Sequence, residues 1–182
     1  VDFVTGKGVE VRLEHANSYP EAIARLKNFE WQVLFGYSPV VSMTAVEEGY
    51  KGIGLMFSSE PNYRTLFFSK KDSEYKNIDS INERTKIALG DPFSASKYYV
   101  PISMLRGKRL VIIENNSTKD IVSLVENDKA DIGVMAGNPE YFRARHKDLK
   151  IVASSPLLPQ SIVAVSPFVS ENDSLSIQKV LM

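Results

Sequence analysis

Cysteine is absent from this sequence. That excludes disulfides, thiolate-ligated zinc and thiol nucleophiles in one step, and it suits an oxidising compartment, where a free thiol is a liability. Histidine is almost as scarce. His15 and His146 stand far apart and in no HExxH-type spacing, so each reads as an ordinary surface or partly buried residue, and no metal site is expected. Net charge is missing too, since Lys and Arg total 22 and Asp and Glu total 22. Without a basic field there is little to draw the chain to nucleic acid or to an anionic membrane. No apolar run approaches the roughly 18–20 residues that cross a bilayer. The opening VDFVTGKGVEV lacks the basic leader and apolar stretch of a signal peptide.

What is present suits a packed protein. The 182 residues suffice for one large domain or two small lobes, and 43% of them are hydrophobic and 10% aromatic. Val9, Val11 and Leu13 alternate with charged residues, the period of a half-buried strand. Tyr19, Ala22, Ile23 and Leu26 recur at helical spacing, with Pro20 in the first turn. WQVLFG, GIGLMF and YRTLFFSKK then read as three extended segments, so the opening is β-α-β followed by more strand. From residue 78 strands and helices alternate regularly: TKIALGD, SASKYYVPISML, KRLVIIEN, STKDIVSLVEND, ADIGVMAG, NPEYFRARHKD, LKIVASSP, SIVAVSP and ENDSLSIQKVLM. Such alternation predicts an α/β architecture with parallel pairing. Strand 110–113 is expected to lie parallel to strand 86–89.

The stretch 57–77 is polar and turn-rich at its ends with a stiff strand inside. It suits a segment crossing between lobes. The expected division is a first lobe at 1–62, a crossing or hinge segment at 63–77, a second lobe at 78–155, and a return segment with a closing helix at 156–182. Two such lobes place a cleft at the carboxyl ends of strands, where helix N-termini point.

The segment LGDPFSASKYYVP, residues 89–101, fits that cleft. A strand stops at Gly90, and small residues lead straight into a helix. The first N–H groups of a helix have no partner within it. A serine cap can supply one, and so can a bound anion. The N–H groups of Ser94, Ala95 and Ser96, with two hydroxyls, are the candidate anion cradle, and Lys97 is the nearby cation. ENNSTKD repeats the chemistry at a second strand-to-helix corner, where Asn116 and Ser117 are candidates. Tyr37 and Tyr63 end and begin strands and are candidates to project phenols into the same cleft, although either suits a core edge equally. No Ser-His-Asp set, metal cluster or P-loop is visible, so an enzyme is not expected.

LGDPFSASKYYVPISML resembles the "GDP-S-S-T-S-G-Y-x-x-P" segment of the phosphonate/phosphate/phosphite substrate-binding proteins of ABC transporters. EVRLEHANSYPEAIARLKNFEWQVLFGYSP, IVSLVENDKADIGVMAG and IVASSPLLPQSIVAV resemble further segments of that family, in the right order and over nearly the whole chain. Ala95 stands where the family has Thr, Lys97 where it has Gly, Gln32 where it has Asp and Asp128 where it has Gly. No His stands near the 114–120 corner. The resemblance implies a two-lobed type II periplasmic-binding-protein fold, mostly parallel sheets flanked by helices, without the family's first strand and helix before residue 1. It implies capture of a small oxyanion of the phosphonate, phosphate or phosphite class, no cofactor, an ABC permease as partner and an extracytoplasmic location. The alternative is the ligand-sensing domain of a membrane receptor with the same fold.

Overall fold

The computed structural model describes residues 2–4, 10–36, 38–57, 59, 62–114 and 117–181. Two sheets carry the fold, beside a small N-terminal ribbon. The ribbon pairs β1 (Asp2–Val4) antiparallel with β2 (Glu10–Arg12). The expected half-buried strand at 9–13 is therefore corrected. Glu10, Val11 and Arg12 are all exposed, and their strand pairs with neither of the larger sheets.

The smaller sheet has the order β3 (Val33–Phe35), β11 (Ile162–Val165), β4 (Lys51–Leu55), with β11 antiparallel to both neighbours. Helices α1 (Tyr19–Lys27) and α2 (Pro39–Glu47) pack on one face through Ala22, Leu26, Val41 and Ala45. Closing helix α6 (Glu171–Leu181) covers the other, where Ile177 meets Ile53, Val163 and Val165. The sequence reading missed α2, running strand into strand instead. Its residues PVVSMTAVE are apolar on all sides and lack the stripe that marks a surface helix. The overlooked signal was at its start, where Ser38 accepts the Val40 N–H and Pro39 takes the first helical position.

The larger sheet is mixed. β6 (Lys86–Leu89) lies parallel to β7 (Val111–Glu114) on one side, as expected, and to β8 (Ile132–Gly137) on the other. β5 (Asn62–Lys70) runs antiparallel to β8, and its other edge pairs with β9 (Leu149–Ser154) and β10 (Leu158–Pro159). The mostly parallel pairing expected thus holds only around β6. The physical reason is β5, which follows β4 with no helix between and inserts antiparallel between β8 and β9, the two strands that share a direction across the α5 crossover. β5 lies deep in this sheet, within the stretch read as a crossing segment. Residues 65–69 are all buried, with Phe67 in the core on one face and Leu66 and Phe68 in the core on the other. α4 (Thr118–Glu126) packs beside β6 and β8, α5 (Pro139–Arg145) beside β9, and α3 (Val100–Met104) continues from a π-helical turn at Ala95–Tyr99.

Candidate functional site

Parallel strands β6, β7 and β8 end on one side of the larger sheet, and antiparallel β5 begins there. The smaller sheet turns the end of β3 and the start of β11 toward the same place. Between them lies a cavity of about 570 Å³.

Five helix starts converge on it. They enter through Tyr19 at the start of α1, Ser38 and Pro39 at α2, Ser94 to Lys97 before α3, Thr118 at α4, and Asn138 as the cap of α5. Each start carries partial positive charge. A second hollow, about 600 Å³ around Lys70, Asp72, Glu126 and Asp148, lies at the far end of β5. It receives the C-terminal end of α4, whose partial charge is negative, so it lacks the field of the first.

The loop 90–97 is folded so that its carbonyls turn inward. Pro101 has no N–H, so the Lys97 carbonyl four residues before it loses its ordinary helical partner. The Gly90 N–H takes that carbonyl at 3.0 Å. Gly90 must be glycine for the same reason, because a Cβ there would stand 2.6 Å from the Cβ of Lys97 and 3.0 Å from its Cδ and Cε. The Ser94 carbonyl accepts from Tyr98 and Tyr99, each at 3.1 Å, which sets the π register. The Ser96 carbonyl accepts from the Thr65 hydroxyl at 2.8 Å, which ties the loop to β5. The N–H groups of Ala95 and Ser96 have no acceptor among the described residues.

The Ser94 N–H is not part of a cradle, as it donates to the Asp91 carbonyl at 2.8 Å. The Ser94 hydroxyl oxygen accepts the Lys97 N–H at 3.3 Å and caps the turn, and this cap leaves the Ala95 and Ser96 N–H groups without an acceptor among the described residues. Asp91 closes its own turn by accepting the Phe93 N–H at 2.8 Å and does not line the cavity.

Tyr63 lines the cavity from the first turn of β5. Burial pushes its phenol above the ordinary tyrosine range, the adjacent Ser96 hydroxyl opposes that, and Tyr19 adds a small upward push. The phenol therefore stays a neutral donor. Lys97 is half-buried, and burial draws its ammonium below the ordinary lysine range, with Asp91 pulling the other way. A bound anion would draw it upward again. Above about pH 9, where a phosphonate as well as a phosphate monoester has lost its second proton, affinity should fall as pH rises through the lowered Lys97 value. The sign for stability is opposite. The unfolded chain holds that proton more tightly, so the free protein gains stability over the same rise. Calorimetric titration with methylphosphonate across that range should show the loss, and Lys97→Met should flatten it.

Of the residues singled out in the sequence, Ser94, Ala95, Ser96, Lys97 and Tyr63 line this cavity. Ser117 caps α4 by accepting the Asp120 N–H at 3.0 Å, and its neighbour Thr118 is the cavity-lining residue of that corner. Tyr37 and Asn116 lie outside the described residues. Sequence reasoning overlooked Tyr19, Ser38, Asn62, Asn138, Gln160 and Ser161. Three of these carried a usable signal. Tyr19 follows the cap Ser18 and precedes Pro20, while Ser38 and Asn138 are themselves caps followed directly by proline.

Two sheets facing a shared cleft, with helix starts turned into the gap, define a type II periplasmic binding protein. The same fold is found in XAC2383 from Xanthomonas citri bound to ATP, at a TM-score of 0.76 and 17% identity, over 91% of this chain and 68% of that one. PhnD1 from Prochlorococcus marinus in complex with methylphosphonate matches at 0.69 and 13%, over 91% and 69%. A binding protein component of an ABC phosphonate transporter from Pseudomonas aeruginosa, PA3383, matches at 0.65 and 18%, over 90% and 60%. No curated protein matches by sequence. The family described as "ABC transporter, phosphonate, periplasmic substrate-binding protein" matches residues 4–182, and the chain belongs to it. That family supplies the substrate-binding component of a transporter, with a small-molecule ligand, a membrane permease as partner and a place outside the cytoplasm. Among the described residues no helix is long and apolar enough to cross a membrane.

Proposed function

We propose that this chain captures a small oxyanion of the phosphonate, phosphate or phosphite class between its two sheets for ABC-type uptake, without catalysis. The observation that carries this reading is the pair of N–H groups at Ala95 and Ser96, without an acceptor among the described residues, at a helix start that lines the cavity with four others. Fixed N–H dipoles meet an oxyanion with little reorganisation, which is why helix starts recur as anion sites. The Ser96 hydroxyl and the Tyr63 phenol add donors beside them, and Lys97 adds one positive charge. PhnD1 from Prochlorococcus marinus, seen with methylphosphonate, supports the ligand class.

In this reading residues 1–62 and the return segment 156–182 build one lobe, 78–155 builds the other, and 63–77 joins them. The lobes close over the anion. Asn116, Ser117 and Tyr37 remain candidates for contacts made on closure.

Thermal-shift titration with methylphosphonate, phosphite and inorganic phosphate tests the class. A ligand at 100 times its Kd should stabilise the fold by about 2.7 kcal/mol. Ser96→Ala should weaken the best of the three by roughly 1.5–3 kcal/mol, the range for a hydrogen bond to a charged group. If none of the three raises the melting temperature, the oxyanion reading is wrong.

A further inference from the structure

The cavity is larger than an oxyanion alone fills. Four oxygens, each given the roughly 30 Å³ that a water takes in the liquid, occupy about 120 Å³, against a cavity of about 570 Å³. Among the described residues the remaining wall carries no charge, and Asn62, Gln160 and Ser161 bring side chains that both donate and accept, among Pro39, Ala136 and Gly137. Asn62 and Gln160 stand where the two sheets join, since Asn62 pairs with Pro159 and Gln160 follows it. Asn62 is exposed and Gln160 half-buried, and neither side-chain amide has a protein partner among the described residues, so both are open to a ligand. Ser38 and Ser161 face the same space from the smaller sheet, both almost fully buried. Tyr19 and Tyr63 line the same space and add aromatic surface to it.

Charge divides the possible substituents. Lys97 is the one charged residue lining the cavity among those described. Five helix starts add partial positive charge around it. An ammonium on the ligand would enter a positive field. A hydroxyl would not, and amides satisfy both its donor and its acceptor side.

Resting on the oxyanion reading, we propose that the natural ligand is an organic phosphate or phosphonate whose substituent is neutral and hydroxyl-rich, and that the site rejects aminoalkyl phosphonates. The phosphorus end sits on Ala95 and Ser96, and the hydroxylated end lies toward Asn62 and Gln160.

Calorimetry with four probes tests this: inorganic phosphate, methylphosphonate, 2-aminoethylphosphonate and glycerol 3-phosphate. Glycerol 3-phosphate should bind about tenfold tighter than methylphosphonate, the gain from one or two further neutral hydrogen bonds. The aminoethyl compound should bind more weakly than methylphosphonate. Gln160→Ala and Asn62→Ala should each lose more affinity for glycerol 3-phosphate than for methylphosphonate. If 2-aminoethylphosphonate binds tightest, or glycerol 3-phosphate gains nothing over methylphosphonate and phosphate, the substituent proposal is overturned while the oxyanion reading stands. Silence from all four overturns both.

Discussion

Ala95→Pro should fold like the parent and lose most of its anion affinity. The substitution deletes one N–H from the proposed cradle and nothing else that the fold uses, because that N–H has no acceptor among the described residues. The backbone already suits proline. Ser94 is extended at φ −83° and ψ 125°, the conformation favoured before proline, and residue 95 is the first of its helix. The expected loss is about 1.5–3 kcal/mol, roughly 10- to 150-fold in Kd. The melting temperature without ligand should barely move. Ala95→Gly keeps the N–H and should keep most of the affinity, which separates a lost donor from a disturbed loop. Calorimetry with methylphosphonate on the two variants decides. Equal binding by parent and proline variant would reduce the turn after Gly90 to a helix cap.

Gly133→Ala should destabilise the whole protein. Gly133 lies in β8, between Phe68 of β5 and Ala88 of β6. A Cβ there would stand 2.3 Å from Cζ of Phe68, with two more ring carbons at 2.7 and 2.9 Å. The Phe68 ring is fully buried and packs on Phe142 at 5.3 Å between centroids, so it cannot swing aside. Overpacking of this kind costs about 1–3 kcal/mol, which for a chain of this size lowers the melting temperature by roughly 2–12 °C. Phe68→Leu opens room at the same point. The double variant should lose less than the two single losses together, because the sites share one contact. Chemical denaturation of the three variants measures it. Simple additivity would mean that the two residues do not meet in solution.

The two substitutions also separate what was legible in the sequence from what was not. Local chemistry was legible. The Ser94–Ala95–Ser96 turn, the parallel pair 86–89 and 111–114, and the helices at 19–27, 118–126 and 171–181 all follow from caps, proline positions and period. Those signals act within a few residues, so they survive whatever the rest of the chain does. A carboxylate beside an anion would repel it, and only the fold shows that of Asp91 turned back onto the Phe93 N–H.

Helix α2 escaped the period because it is apolar on all sides, and β2 misled it because alternation does not say which partner a strand will find. Nothing near Gly133 in sequence points to Phe68, 65 residues before it, or to the ring that requires a glycine there. The cavity itself is of the same kind. Asn62, Ser38, Asn138 and Gln160 are unremarkable polar residues until antiparallel β5 and returning β11 bring two sheets edge to edge. Short-range spacing carried the α/β class, and the resemblance of short segments carried the family and the helix start proposed to meet an anion. Tertiary structure alone decided the mixed sheet, the Gly90–Lys97 closure and the neutral wall opposite the cradle, because each depends on contacts between residues far apart in the chain.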